Sequence, residues 1–328
     1  MTAQVGAAAL ETTIVSFKRD WLGRQTRTFI VWGLLLILIV VGSILSGTFR
    51  SQPVILETLK GATFIGMASA AQFFVVVSGG IDLSIASVAT ISGMLAAVIM
   101  NGQDGNIAFA ILAALGVGVA VGLVNGLLVN VLNIAPFVAT FGMYYILQGV
   151  AYTWTTSPVG IASPSFYNLY VDTWDGVPVI LVIVGLFWFA CWYTARQTGF
   201  GRHLYAIGGD REAARLAGVR TMRVSIASYV ACSVIAAAAG MIELTQTDVA
   251  GPDLGSTLLL TTVTAVVIGG VSLFGGQGSI FGVLGGVLFL SFLNQLYDTV
   301  QIDALYQQLI QGLIILAMLG IYRQKRKQ

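Results

Sequence analysis

The sequence predicts an all-α, polytopic membrane protein of about ten transmembrane helices, including broken or re-entrant ones, with both termini cytoplasmic. Three observations predict it. Hydrophobic residues make up 57% of the 328-residue chain and charged residues only 9%, whereas a soluble globular chain carries roughly 25% charged residues. Ten apolar runs reach or approach the ~20 residues a helix needs to cross ~30 Å of hydrocarbon. The few charges are sorted by sign along the chain.

Residues 1–27 are read as a cytoplasmic N-terminal segment with Lys18, Arg19, Arg24 and Arg27. The apolar run that follows, Phe29–Leu45, is too long for a signal-peptide core and lacks a small-residue cleavage site after it, so it is an uncleaved first span over 28–47. Further spans are expected at 56–78, 84–100, 106–131, 137–156, 178–195, 224–243, 257–273, 279–297 and 304–322. Residues 28–322 then form one transmembrane domain, with the cytoplasmic loop 196–223, and 323–328 a cytoplasmic basic tail. The external segment Thr156–Val177, with Pro158 and Pro164, suits a short surface helix. Cys191 and Cys232 lie in apolar runs and imply packing rather than a disulfide framework.

With the amino terminus inside, the cytoplasmic loops hold Arg196, Arg202, Arg211, Arg215, Arg220 and Arg223, and the tail holds Arg323, Lys325, Arg326 and Lys327. Only Arg50 and Lys60 fall on or near the far side, where Asp104, Asp172, Asp175, Asp248, Asp253, Asp298 and Asp303 lie. Excess Lys and Arg in short cytoplasmic loops sets this orientation. Gly118, Gly122 and Gly126, and likewise Gly278, Gly282 and Gly286, recur every four residues. Small residues at that spacing let helices approach closely in an apolar solvent.

Two segments share the frame V-V-x-G-G-x-x-L: Val76–Leu83 and Val266–Leu273. Each adjoins a helix short for a full crossing, so the Gly-Gly bends are expected partly within the membrane. Irregular backbone at that depth needs protein or a water-filled cavity around it, and paired glycine-interrupted segments point to a translocation path. Asp82 fits two roles here, a cap for the third span and a lining or gating residue. The candidate path residues are Gln72, Phe73, Gly79, Gly80, Asp82, Ser84, Asn125, Thr140, Thr264, Gly269, Gly270 and Asn294. Uncharged amides and hydroxyls suit a neutral, hydroxyl-rich solute, although interhelical hydrogen bonding is the commoner role for any single one of them.

The cytoplasmic loop 196–223 is the polar exception. Within it, Gly209-Asp210-Arg211-Glu212-Ala213-Ala214-Arg215-Leu216 runs to Gly218. Asp210 can cap a short helix, Glu212 suits its positive end, and Gly218 can take the left-handed turn that stops it. Two turns of helix do not stand on their own length, so this helix should dock on a partner. Catalysis is not encoded. There is no phosphate-binding G-x-x-x-x-G-K-[ST] loop, and the single histidine, His203, has no companion ligand, so no metal or cofactor is expected. One candidate acid at membrane depth is little for an ion-coupled carrier.

Four motifs, GGIDLSIASVATISG (79–93), NGLLVNVLNIAPFVATFGM (125–143), YAIGGDREAARLAGV (205–219) and GGVSLFGGQGSIFGVLGG (269–286), together resemble the permease subunits of ribose-type ABC sugar importers, carbohydrate uptake transporter family 2, in the branched-chain amino acid/ribose-type permease superfamily. The resemblance implies a bacterial inner-membrane protein working with a second permease subunit and a cytoplasmic ATPase that uses the ATP and magnesium. It also implies a periplasmic sugar-binding protein and a monosaccharide substrate, with no nucleic acid involved. By the same resemblance the 209–218 loop is the ATPase-coupling helix. Its E-A-A-x-x-x-G lacks the following I-x-L-P element, so type I importer geometry does not transfer. The competing expectations are an ion-gradient-driven carrier of a small neutral solute, and a membrane scaffold with no solute path.

Overall fold

An apolar chain in lipid must satisfy its backbone internally, and here it does so as helices. The computed structural model describes residues 28–303 and, beyond them, residues 306, 307, 309, 310, 312–314 and 316. The predicted N-terminal segment and basic tail lie outside the described residues, as does part of the predicted last span. The helices are α1 (Thr28–Leu45), α2 (Gln52–Val77), α3 (Ile85–Met100), α4 (Ile107–Asn130), α5 (Pro136–Trp154) and α6 (Pro164–Val171). They continue as α7 (Val179–Gln197), α8 (Gly199–Gly209), α9 (Arg211–Leu216), α10 (Thr221–Thr247), α11 (Leu258–Ile268) and α12 (Ile280–Thr299). A two-residue hairpin, β1 (Thr173–Trp174) with β2 (Val177–Pro178), follows α6.

Six helices among the described residues are long and apolar enough to cross a membrane: α1, α2, α4, α7, α10 and α12. The chain is thus an all-α polytopic membrane protein. Of the rest, α3 and α11 are apolar but short, and α5 is long enough but interrupted by Thr140, Gln148 and tyrosines. Lipid-facing surfaces are marked by exposed Leu36, Ile37 and Ile44 on α1, Phe109 and Leu112 on α4, and Leu186 and Phe189 on α7.

Helix α10 is the hub, packed against α2, α3 and α4. Glycines make the contact close. A Cβ on Gly118 would sit 2.7 Å from the Ser233 carbonyl oxygen, and one on Gly122 would sit 2.6 Å from Val230 Cα. Gly126 faces Ile226 in the same way. The second glycine series behaves differently at its start. Gly282 and Gly286 press on the backbone of Gly269 and Ala265, but Gly278 precedes α12 and has φ +144°, so it belongs to a turn.

Helix α10 and α11 do not join smoothly. Residues 248–257 are irregular: Ala250 bridges Val159, and Gly255 donates its amide to Thr90 Oγ1 on α3 at 3.0 Å. With only 11 residues, α11 covers about 16 Å, roughly half a crossing. The span expected over 257–273 is therefore helical only over Leu258–Ile268, with turns before it and its glycine turn at 269–278. That satisfies the backbone through α3 rather than through a longer helix.

Candidate functional site

Charge divides the bundle into two ends. One end carries Asp104, Asp172, Asp175, Asp248 and Asp253 with α6 and the hairpin; the other carries α8, α9 and Arg196, Arg202, Arg211, Arg215, Arg220 and Arg223. The basic end holds the first part of the site. Helix α8 follows α7 after Thr198 alone, whose hydroxyl accepts the Gly201 amide at 3.3 Å. Only Asp210 then separates α8 from α9, and its carboxylate accepts the amides of Glu212 (3.0 Å) and Ala213 (2.9 Å). Gly218 has φ +87°, its amide reaches the Arg215 carbonyl, and the Val219 amide reaches that of Ala214, both at 3.0 Å. That bond pair is a Schellman stop. The cap and stop expected from sequence are both present.

Side chains brace α9 from two directions. Arg211 donates to Asn130 Oδ1 at the end of α4 at 2.8 Å, and Arg215 pairs with Glu212 at 2.6 Å. Hydrogen bonds from Arg215 hold the Glu212 carboxyl below its ordinary pKa. Ala214 is buried against the bundle while Leu216 is 77% exposed. A six-residue helix so fixed presents one apolar side chain outward beside a charged rim. Ala213 lies between them, and Gly209, at the α8 end, has open space where a Cβ would be.

The two diglycine turns close on the same end. After α2, the Gly79 amide bonds the Val76 carbonyl at 2.9 Å and the Gly80 amide that of Val75 at 3.0 Å, with φ +87° at Gly79. After α11, the Gly270 amide bonds Val267 at 2.9 Å and the Val271 amide bonds Val266 at 3.2 Å, with φ +79° at Gly270. Both are Schellman stops. They equate Gly79 with Gly270 and not, as the shared V-V-x-G-G frame suggests, with Gly269. The sequence frame is one residue out of structural register, because the left-handed position falls on the first glycine of one pair and the second of the other.

Beyond Gly80 the chain carries a buried polar network. Asp82, only 1% exposed, accepts the Ser84 amide (2.9 Å) and hydroxyl (2.6 Å), in a turn that starts α3. Asn125 on α4 donates to Ser84 Oγ at 2.8 Å, and Thr140 Oγ1 on α5 accepts the Leu83 amide at 3.1 Å. Four predicted path residues thus meet in one place and join α3, α4 and α5. Gln72 and Phe73 are buried on α2; neither amide atom of Gln72 has a hydrogen-bond partner among the described residues, and Phe73 packs edge-on against Phe74 and Tyr205. Thr264 bonds back to the Leu260 carbonyl within its own helix, Gly269 packs on Gly282, and Asn294 is on α12.

A further set escaped the candidate residues. Phe137, Phe141 and Tyr144 stack along α5 with centroids 5.3 and 6.2 Å apart. Gln148 on the same helix donates to the Pro252 carbonyl at 2.7 Å, and the Tyr152 hydroxyl donates to the Asp253 carboxylate. The spacing 137, 141, 144, 148, 152 was available as one helical face. Its contact with the irregular 248–257 segment was not. This face runs from aromatic rings toward the basic end to an amide and the Asp253 carboxylate at the acidic end, a set able to stack on and hydrogen-bond a polyhydroxylated solute.

Among the described residues no cluster of histidine, cysteine and acidic side chains could hold a metal ion. The arrangement is that of a membrane permease: helices around polar turns, with a braced helix exposed at one end. The family described as branched-chain amino acid transport system / permease component matches residues 54–319, and the chain belongs to it. It is 33% identical over 317 residues to the ribose import permease protein RbsC of Escherichia coli K12, covering 95% of this chain and 97% of that one. It is 32% identical to the fructose import permease protein FrcC of Rhizobium meliloti (90% and 84% covered). The L-arabinose ABC transporter permease protein AraH of Azospirillum brasilense is also 32% identical (90% and 88% covered). No solved structure gives a significant match.

Proposed function

We propose that this chain is the permease subunit of an ATP-binding-cassette importer of a monosaccharide in a bacterial inner membrane. The observation that carries it is α9, a capped and braced helix with Leu216 exposed, in a chain whose relatives are named as sugar import permeases. In this reading residues 28–322 make about ten crossings as one permease domain. The α9 end, residues 1–27 and the 323–328 tail are cytoplasmic, which the basic residues of the loops favour. A separate ATPase binds ATP and magnesium and docks on 209–218. A periplasmic binding protein delivers the sugar at the acidic end, and a second permease subunit completes the path.

ATP hydrolysis moves α9, and the chain opens alternately to each side. The α5 face and the polar turns at 79–84 and 269–270 supply the path, since stacking rings and uncharged donors favour sugars without binding them tightly. A tagged chain purified from native membranes in mild detergent should bring down a stoichiometric ATPase. Leu216→Asp, Glu212 or Gly218 replacements should leave insertion intact and uncouple hydrolysis from uptake. Uptake abolished by an ionophore but indifferent to ATP depletion, with no ATPase recovered, would replace this reading with an ion-driven carrier.

A further inference from the structure

The loop between α11 and α12 holds an exposed aromatic that the helix packing does not use. Phe274 is 82% exposed, more than Leu216, yet its loop is tightly built. The Gly275 amide bonds the Ser272 carbonyl (3.0 Å), the Ser272 amide bonds the Gln277 carbonyl (3.0 Å), and the Phe274 amide bonds Ser272 Oγ (3.2 Å). A closed loop with fixed ends therefore holds this ring away from its own chain.

The same loop is held against the end of α2 and against α8. The Gly276 amide donates to the Val77 carbonyl at 2.9 Å, and the Tyr205 hydroxyl on α8 donates to the Gly278 carbonyl at 2.9 Å. A Cβ at Gly276 would fall 2.7 Å from Gly209 Cα, and one at Gly275 would fall 2.8 Å from both Gly208 Cα and the Gly79 amide nitrogen. At Gly208 a Cβ would overlap the Val77 carbonyl oxygen outright. These distances leave no room for a side chain at the junction, where backbone meets backbone directly. The junction sits one residue from the Asp210 cap. The Phe274 loop thus packs backbone on backbone against the end of α8 that leads into α9.

We propose that the ATPase docks on both α9 and this loop, with Phe274 its second contact beside Leu216, and that the Gly208–Gly275–Gly276 junction makes the two move together. The inference rests on the docking role given to α9 above. Its consequence is mechanical: a push on α9 reaches the turn after α2 and the turn after α11 through backbone, without passing along flexible side chains. A lone exposed phenylalanine at a lipid boundary would need no such bracing.

Cys191 and Cys232 are both buried, so an introduced exposed cysteine can be read alone. The test uses the full-length chain with its ATPase in inverted membrane vesicles, labelled by a membrane-impermeant maleimide before and after the ATPase is stripped. Leu216→Cys and Phe274→Cys should each label at least fivefold more slowly with the ATPase in place, and Phe274→Asp should lower ATPase retention while Phe274→Leu keeps it. Protection of Leu216→Cys without protection of Phe274→Cys would overturn the second contact and leave α9 docking standing. Protection of neither would remove the docking reading itself. A Phe274→Cys that stays unreactive after stripping would place the ring in lipid or against another permease, and that also overturns the proposal.

Discussion

The turns after α2 and after α11 end their helices with the same pair of hydrogen bonds and the same left-handed glycine, yet they do opposite things next. The first turns inward: Asp82 and Ser84 leave Gly80 for the bundle interior and gather Asn125 and Thr140. The second turns outward: it buries backbone against α8 and leaves Phe274 exposed. A Schellman stop satisfies carbonyls at a helix end whatever follows it. The stop is shared architecture, and the four or five residues after it decide whether the turn serves the path or the surface.

The largest effect should come from filling the place where the two turns meet α8. Gly208→Val adds side-chain volume where even one carbon overlaps the Val77 carbonyl oxygen. Overpacking of this sort costs about 1–3 kcal/mol or more, so assembly should fall sharply and uptake should be lost. Gly209→Ala, one residue on, has open space around its Cβ position and should keep normal assembly. Equal behaviour of the two variants, compared by thermal stability in detergent, would show that the junction is not tight.

Next comes the inward turn. Asp82→Ala leaves the Ser84 amide and hydroxyl without their acceptor in a buried site, at about 1–3 kcal/mol. Asp82→Asn keeps one acceptor oxygen and should cost less. If Asp82→Asn retains ATP-dependent uptake, the carboxylate is a turn-former; if it abolishes uptake while the protein stays folded, the charge itself acts on the path. Gly79→Ala and Gly218→Ala are a matched pair below that. Each has φ +87° and neither has a neighbour closer than 3.7 Å to the added carbon, so each should cost about 1 kcal/mol of backbone strain. Only the Gly218 variant should uncouple hydrolysis, because only that turn ends the docking helix.

Local signals were legible and long-range ones were not. Asp210 and Gly218 could be read because a cap and a stop act within one turn of helix. Helix α8 could not be, since Gly199, Gly201, Gly208 and Gly209 signal a loop and its helix comes from burial of Leu204 and Ile207 and from contact with α2. The run expected over 257–273 starts where expected, at Leu258, but ends at Ile268, because Gly269-Gly270 stops the helix while Val271 and Leu273 keep the segment apolar. Asp82 and Ser84 were placed by the Gly-Gly frame, and Asn125 and Thr140 by residue type within their spans. Their meeting depends on how α3, α4 and α5 cross, which no spacing encodes.

The smallest expected effect separates docking from folding. Glu212 and Arg215 face solvent on both sides of their pair, and exposed pairs add little stability in water. The Glu212 carboxyl is nonetheless held below its ordinary value by hydrogen bonds from Arg215. A depressed carboxyl contributes stability that is fully present above the unfolded value, about 4.5, and is lost as pH falls through the lowered folded value. Any melting difference between the Arg215→Ala variant and the parent protein should therefore be small, be present from pH 5.5 to 8, and vanish as the carboxyl is protonated in acid. ATPase retention in the same range should fall all the same, because the variant removes a charge from the rim around Leu216 and leaves the helix in place. A variant that melted far earlier at neutral pH would show that the pair holds the loop together, and its loss of coupling would then say nothing about contact with a partner.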